Sequence, residues 1–321
     1  MQENFIFGEK PRTCVMCLYN LNKGIIAYLK RSAEYIKITN SEIQNIELAM
    51  LKFFHAFCIK YELRYYISGG TLLGAVRHRG FIPWDDDIDV HMPRQDFNKL
   101  LSLQDELPDC LKIYFLGNPV GYPHPFGKLV NTRTVVIEPG ISTLKLGIYI
   151  DIFPIDGVPK NNKVQMQIEK ELLRLEKQLD YNYFIPNGYV PGKNSLICFF
   201  QKLRYGKTKD LSPQLYREKY NELLAYDFDN SSEVKNFTCY KRDPKEQVPR
   251  SFYGKPTLMQ FADTEFFGFE KAALYLTHFY GDYMTLPPLN KRFSHKLEAT
   301  YKTDWNLMKI AEELKYAFEK K

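Results

Sequence analysis

Long apolar runs are missing from this sequence: nowhere in its 321 residues do about eighteen apolar ones follow one another, so none of it reads as a membrane span. The first residues include Glu3, Glu9 and Lys10 and lack the apolar core of a secretory leader. Cysteine is scarce. Of the six present, only Cys14 and Cys17 are closely spaced, and no second pair completes a zinc site. A reduced, cytoplasmic chain is expected. Clusters of lysine and arginine interleaved with stacking aromatics are also lacking, so the net charge of +6 argues for anionic substrates or an anionic surface and against nucleic acid. No internal repeat or low-complexity tract is present. With 45% hydrophobic residues the chain is of ordinary globular composition, long enough for one large domain or two unequal ones.

Its acidic residues are concentrated. Phe81-Ile82-Pro83-Trp84-Asp85-Asp86-Asp87-Ile88-Asp89-Val90 sets four carboxylates among large apolar side chains, a poor composition for a solvated loop. An EF-hand calcium loop does not fit, because Val90 stands where glycine is needed, Pro93 follows and Asp96 replaces the terminal glutamate. Ile88, Val90 and Met92 alternate with Asp87, Asp89 and His91, so an extended chain puts Asp87 and Asp89 on one face. Like charges so placed need a cation between them or a bound proton. The expected occupant is a hard divalent ion, Mg²⁺ or Mn²⁺, left open to substrate phosphates. Asp85 shares the parity of Asp87 and is a candidate outer ligand. Upstream, Ser68-Gly69-Gly70-Thr71 forms a turn whose glycines let backbone N–H groups approach ligand oxygens.

Gly147 to Gly157 reads as a second strand, with Ile148, Ile150 and Ile152 on one face and Tyr149, Asp151 and Phe153 on the other. A lone aspartate there must be paired, protonated or bound to metal. Two roles stay open: a third carboxylate of a two-metal site, if its strand lies beside Asp89, or the partner of a cation such as Lys128. Asp156, before Gly157, is read as a turn residue. Helices are predicted over 18–36, from a Ser41 cap to about Tyr61, over 162–180, and near 213–226 and 269–280. The first is basic and amphipathic; packing on the core is preferred to lying on an anionic membrane. Leu63 to Ser68 leads into the glycine turn as a strand. Phe126 to Val130 and Thr134 to Ile137 read as a hairpin, with Lys128 facing the site, and Pro186-Asn187-Gly188 with Pro191-Gly192 as a loop.

Gly69-Gly70, a spacer, Asp87-x-Asp89 and a distant Asp151 on another strand resemble the polymerase-β-type nucleotidyltransferase superfamily. The longer string from Gly69 through Arg77-His78-Arg79-Gly80 to Asp89 is similar to one branch of it, the LicD family of phosphocholine transferases, to which fukutin-related proteins are also similar. Asp151-Ile152-Phe153-Pro154-Ile155-Asp156 agrees with that family, as does Tyr280-Gly281-Asp282-Tyr283-Met284-Thr285-Leu286-Pro287-Pro288 leading to Lys291, Arg292 and His295. The resemblance runs from about residue 41 to about residue 296 and is dense only in these blocks.

The resemblance implies an α+β fold, α/β in looser naming: a nucleotidyltransferase-like small mixed sheet with packed helices. The expected division is an N-terminal segment 1–40, a catalytic core 41–158, and a mainly helical accessory region 159–321 folding back on the core. It makes Asp87 and Asp89 metal ligands, and Asp151 the third carboxylate and candidate base. Ser68, Gly69, Gly70 and Thr71 would line phosphates. Arg77 and His78 would neutralise charge on the transferred group or leaving nucleotide, although packing or loop capping stays an equal alternative, and Lys128, facing the site from its own strand, is a further phosphate-binding candidate. The implied reaction moves phosphocholine from CDP-choline to a hydroxyl of a cell-surface glycan or its lipid-linked precursor, releasing CMP, with Mg²⁺ or Mn²⁺ and peripheral contact with a membrane surface. Phosphoethanolamine or an alditol phosphate would meet the same metals. A choline headgroup asks for an aromatic cage, for which Phe81, Trp84, Tyr122 and Tyr149 are candidates. Two rival readings are a nucleotidyltransferase moving NMP from an NTP, and a metal-dependent glycan-binding protein without turnover.

Overall fold

The structure, a computed structural model, describes residues 35–119, 122–137, 146–181, 200, 212–224, 226–239, 243–292, 298–302 and 313. Among them the chain runs β1 (Tyr35–Lys37), α1 (Asn40–Lys60), β2 (Tyr66–Ile67), α2 (Gly69–His78), β3 (Asp89–Pro93), α3 (Arg94–Ser102), β4 (Leu111–Tyr114), β5 (Gly127–Asn131), β6 (Thr134–Ile137) and β7 (Tyr149–Gly157). It continues through α4 (Asn162–Leu179), α5 (Pro213–Leu223), β8 (Glu233–Lys235), β9 (Gln247–Pro249), β10 (Thr257–Phe261), β11 (Thr264–Gly268), α6 (Ala272–Tyr280) and β12 (Glu298–Lys302). This is an α+β arrangement. Among the described residues no helix is long and apolar enough to cross a membrane.

α1 begins where Thr39 and Glu42 close a capping box: the Thr39 amide donates to the Glu42 carboxylate at 2.7 Å, and Thr39 Oγ1 accepts from the Glu42 amide at 3.4 Å. The expected cap, Ser41, lies inside the first turn instead. Ile43, Ile46, Met50, Phe54 and Phe57 are buried, as their periodicity predicts. α1 packs on β7 and β11. The helix expected over 18–36 lies outside the described residues except at its end, where Tyr35 and Ile36 stand in β1 against β12. Cys14, Cys17, the Pro186 to Gly192 loop and His295 also lie outside them.

The main sheet has the order β2-β3-β7-β5-β4; β3 and β7 are parallel, and the other neighbours antiparallel. Ile88, Val90, Met92, Ile150 and Ile152 are fully buried. The alternation read from the sequence is therefore the real partition between core and site faces.

The hairpin expected from β5 and β6 does not form. The Asn131 amide donates to Ile148 O at 2.8 Å, and Thr134 Oγ1 donates to Asn131 O while accepting from the Ile148 amide. The approach to β7 thus takes the edge that β6 would need, and β6 pairs with β12. Asp156 is no turn residue either: it lies within β7, fully buried, and takes two bonds of 2.8 Å from the guanidinium of Arg94. The described residues after 158 hold α4, α5 and α6 together with five short strands, of which β8 pairs with the end of β7. α4 and α5 bury a smaller core of Ile168, Leu172, Leu175, Tyr216 and Tyr220.

Candidate active site

β2 ends at Ile67 and α2 begins at Gly69, so Ser68, Gly69 and Gly70 stand at a strand-to-helix turn, where the first amides of a helix have no partners within it. The turn is stitched to the acid strand. Ser68 N–H donates to Asp89 O at 3.0 Å, and Asp89 N–H donates to Thr71 Oγ1 at 2.9 Å. Gly69 has φ +53°, and a Cβ there would lie 2.8 Å from Asp89 Oδ2; one on Gly70 would lie 2.4 Å from Asp85 Oδ2. Sequence reasoning assigned this room to a phosphate. In the structure the carboxylates of Asp89 and Asp85 need it first.

Strand register makes the second half of the site. Asp151 of β7 lies opposite Asp89 of β3 on one side and opposite Lys128 of β5 on the other. Directly opposed residues share a face, so the three form one row across the sheet. Both features weighed for Asp151 are present together: it stands beside Asp89, and its Oδ1 accepts from Lys128 Nζ at 2.7 Å. Lys128 is only 2% exposed, and its amine rests 3.3 Å from the centre of the Tyr149 ring. The lysine expected to meet phosphate is turned onto Asp151. Burial holds the Asp89 carboxyl well above the usual carboxylate range, and Asp87, Asp151 and Asp85 push it the same way, while Lys128 opposes them.

A cleft of about 520 Å³ opens over these groups, lined by Gly69, Gly70, Leu73, Arg77, Ile82, Trp84, Asp85, Asp87 and Asp89 on one side, and by Tyr280, Asp282, Tyr283, Thr285 and Pro287 on the other. Ser68, Thr71, His78, Lys128 and Asp151 do not line it. The far wall is strapped on by arginines. Arg77 Nη1 donates to Tyr283 O at 2.8 Å, and Arg292 donates to Pro287 O while its guanidinium lies 4.9 Å from the Trp84 ring centre. Burial lowers the Arg77 pKa, with a further push from Arg292; burial and Arg77 lower that of His78, which meets Trp84 edge-on. Of the four cage candidates, only Trp84 reaches the cleft. Phe81 packs on Phe261, Tyr122 is buried, and Tyr149 sits under Lys128.

One acid was missed by sequence reasoning. Glu47 of α1 is 1% exposed, and its Oε2 has no hydrogen-bond partner among the described residues. Burial raises its pKa well above the ordinary value, and Asp87, Asp86, Asp85 and Asp151 add to the shift. The signal was available: Glu47 interrupts the apolar stripe between Ile43 and Met50. One turn earlier Gln44 Nε2 donates to Asp85 O at 2.7 Å, so this face of α1 carries the acidic loop.

The donor set on the cleft floor is all carboxylate oxygen, which suits a hard divalent cation and not a thiolate-seeking one. His91 does not join it. Its Nδ1 meets Tyr253 Oη at 2.9 Å, and burial brings its pKa to about 3. Among the described residues no three His, Cys, Asp or Glu side chains are drawn together into a cage. Mg²⁺ sites commonly use one or two carboxylates and complete the shell with substrate phosphates and water, so the donors fit that kind of ion.

Residues 62–116 match the family described as LicD/FKTN/FKRP, nucleotidyltransferase domain. The chain is 27% identical over 272 residues to the lipopolysaccharide cholinephosphotransferase LicD of Haemophilus influenzae, an alignment covering 83% of this chain and 98% of that protein. It is also 30% identical over 115 residues to an uncharacterized protein of Rickettsia prowazekii, covering 32% of this chain and 41% of that one. An uncharacterized protein of Rickettsia typhi is 31% identical over 85 residues, 23% of this chain and 28% of its own length.

Proposed function

We propose that this chain, a member of the LicD family, transfers phosphocholine from CDP-choline to a hydroxyl of lipopolysaccharide or a related cell-surface glycan, releasing CMP. The observation that carries the reading is the row Asp89, Asp151 and Lys128 across three strands, beside a cleft that also holds Asp87 and the glycine turn. The main sheet is read as a nucleotidyltransferase-like core within 41–158, completed by the wall at 280–287. The relationship to a cholinephosphotransferase supports the transferred group, and its named substrate supports the acceptor.

Asp87 and Asp89 would hold Mg²⁺ or Mn²⁺, with water and substrate phosphate completing the shell; when bound, the ion polarises the phosphate and offsets negative charge on the departing oxygen. The acceptor oxygen attacks the choline-bearing phosphorus, and the bond from that phosphorus to the bridging oxygen of CMP breaks, CMP keeping the electron pair. Attack at the other phosphorus would transfer CMP instead. The hydroxyl proton passes to the carboxylate of Asp151, which stands behind the cleft lining beside Asp89, keeps 14% of its side chain exposed and is oriented by Lys128. Arg77, on the cleft wall, is placed to balance charge on leaving CMP. The amides at the start of α2, which have no partners within the helix, are placed towards the phosphates.

Incubation with CDP-choline, CDP-ethanolamine, CDP-ribitol and the four NTPs, with and without Mg²⁺, tests the reading. CMP release from CDP-choline is expected. Pyrophosphate release from an NTP would move the reading to NMP transfer, and glycan binding without product from any donor would make the chain a binding protein.

A further inference from the structure

The donor's headgroup has to be recognised close to the acids. In phosphocholine only two carbons separate the phosphate ester oxygen from the quaternary nitrogen, so the cation must lie in the same cleft as the phosphate. That nitrogen carries no N–H, and no hydrogen bond can single it out. What remains is the face of an aromatic ring together with an unneutralised carboxylate.

Only one part of the cleft offers both. Tyr280 and Tyr283 line the wall opposite the glycine turn, with Asp282 between them in sequence. Tyr280 is 46% exposed although it ends an apolar helix, so its ring is available to the cleft. Burial raises the pKa of its hydroxyl, and Asp89, Asp85 and Asp87 add to the shift, as expected of a ring that shares the cleft with the acids. Asp282 accepts from Thr285 Oγ1 at 2.6 Å, and among the described residues it forms no ion pair with a lysine or arginine. The face of Trp84 is less free, because Arg292 covers it. The cleft lining as a whole holds four aspartates against one arginine, and so favours a cationic guest beyond what the metal-binding acids need.

Resting on the proposed transfer reaction, we infer that Tyr280, Tyr283 and Asp282 form the subsite for the quaternary ammonium of the donor and set the preference for choline over smaller or uncharged headgroups. The segment then has two duties: its backbone is clamped by Arg77, and its side chains read the headgroup.

The test compares the wild-type protein with Tyr280→Leu, Tyr280→Phe, Tyr283→Leu and Asp282→Asn. The first readout is the ratio of kcat/KM for CMP release from CDP-choline and from CDP-ethanolamine; the second is calorimetric binding of phosphocholine and of phosphoethanolamine. Each leucine variant should cut the choline preference about three- to thirtyfold, the range of one cation–π contact, and Tyr280→Phe should keep it. Asp282→Asn should weaken phosphocholine binding more at low salt than at high salt. Folded leucine variants with the wild-type ratio, or wild-type protein that binds both phosphoesters alike, would overturn the subsite. If the wild type binds phosphocholine selectively but releases CMP from no donor, the subsite stands and the transfer reading falls.

Discussion

Asp151→Asn separates catalysis from architecture, because the structure gives this residue a part in both. The change removes one charge from the Lys128 pair and no volume. Lys128 is 2% exposed and Asp151 14%, so the cation is the more deeply buried partner and is the one left uncompensated. Breaking such a pair typically costs about 3–5 kcal/mol. Two features reduce that here: the new amide oxygen can still accept from Lys128 Nζ, and the Tyr149 ring at 3.3 Å still faces the ammonium. A loss of about 2–3 kcal/mol is therefore expected, which for a chain of this size lowers Tm by about 3–5 °C.

Turnover should fall by about two orders of magnitude or more in the same variant, while donor binding persists through Asp87 and Asp89. The double change Lys128→Met with Asp151→Asn supplies the control. It removes the stranded cation and should recover most of the lost stability, yet stay inactive. Thermal unfolding and CMP release, measured on the same preparations below the lowest Tm, read both axes. Normal turnover in the folded single variant would take Asp151 out of the chemistry. Unchanged Tm would show that the pair with Lys128 does not hold the row together.

Asp87→Asn and Asp89→Asn should each lower turnover by about two orders of magnitude, and Asp89→Asn should not lower Tm at neutral pH, since it relieves repulsion on a carboxyl already pushed up; near-normal turnover at saturating donor would refute the ligand assignment. Activity should vanish with EDTA and return with Mg²⁺ or Mn²⁺, and full activity after exhaustive chelation would end the metal reading. Gly70→Ala should impair turnover by displacing Asp85, whose Oδ2 would lie 2.4 Å from the new methyl; a variant of wild-type activity would show that the acid loop yields freely. His124 has a buried Nε2 without a hydrogen-bond partner among the described residues, and burial with Lys128 nearby lowers its pKa to about 3. The unfolded chain takes up that proton near pH 6.5 and the folded one does not, so stability is full above that pH and falls as pH drops towards 3. His124→Phe should therefore gain about 2 kcal/mol on wild type between pH 7.5 and pH 5 in urea unfolding; parallel pH curves would refute it.

How much of this was legible in the sequence depends on how far each inference had to reach. Asp89 and Asp151 could be put on strand faces because a period of two is local, and the isoleucines alternating with them had nowhere to go but the core; Asp87 keeps the same alternation although it stands just before β3. The partnership of Asp151 with Lys128 was open as one of two readings, since composition says that a buried acid needs a partner but not which one. β5 and β6 were misread as a hairpin because pairing is a contest between strands, and the winner, the approach to β7, lies more than ten residues further on. Asp156 was misread because Asp-Gly favours turns only where nothing stronger competes, and Arg94 competes.

Glu47 and the wall at 280–287 mark the two limits of such reading. Glu47 was visible as a break in an apolar stripe, and the stripe itself says that this side chain is buried; what no periodicity reveals is that it faces three aspartates of the loop before β3 and a fourth on β7. The wall is the opposite case. Its residues follow no apolar period that points inward, and they reach this side of the cleft from some two hundred positions away, through Tyr283 O bound to Arg77 and through Arg292 laid over Trp84. A cation written off as loop capping would therefore have hidden the half of the cleft that carries the aromatic rings. The contact that orders Arg77 is also the contact that brings Tyr280 and Tyr283 over the acids, so Arg77→Met should loosen headgroup selectivity along with leaving-group charge balance, and a loss of rate with selectivity intact would separate the two.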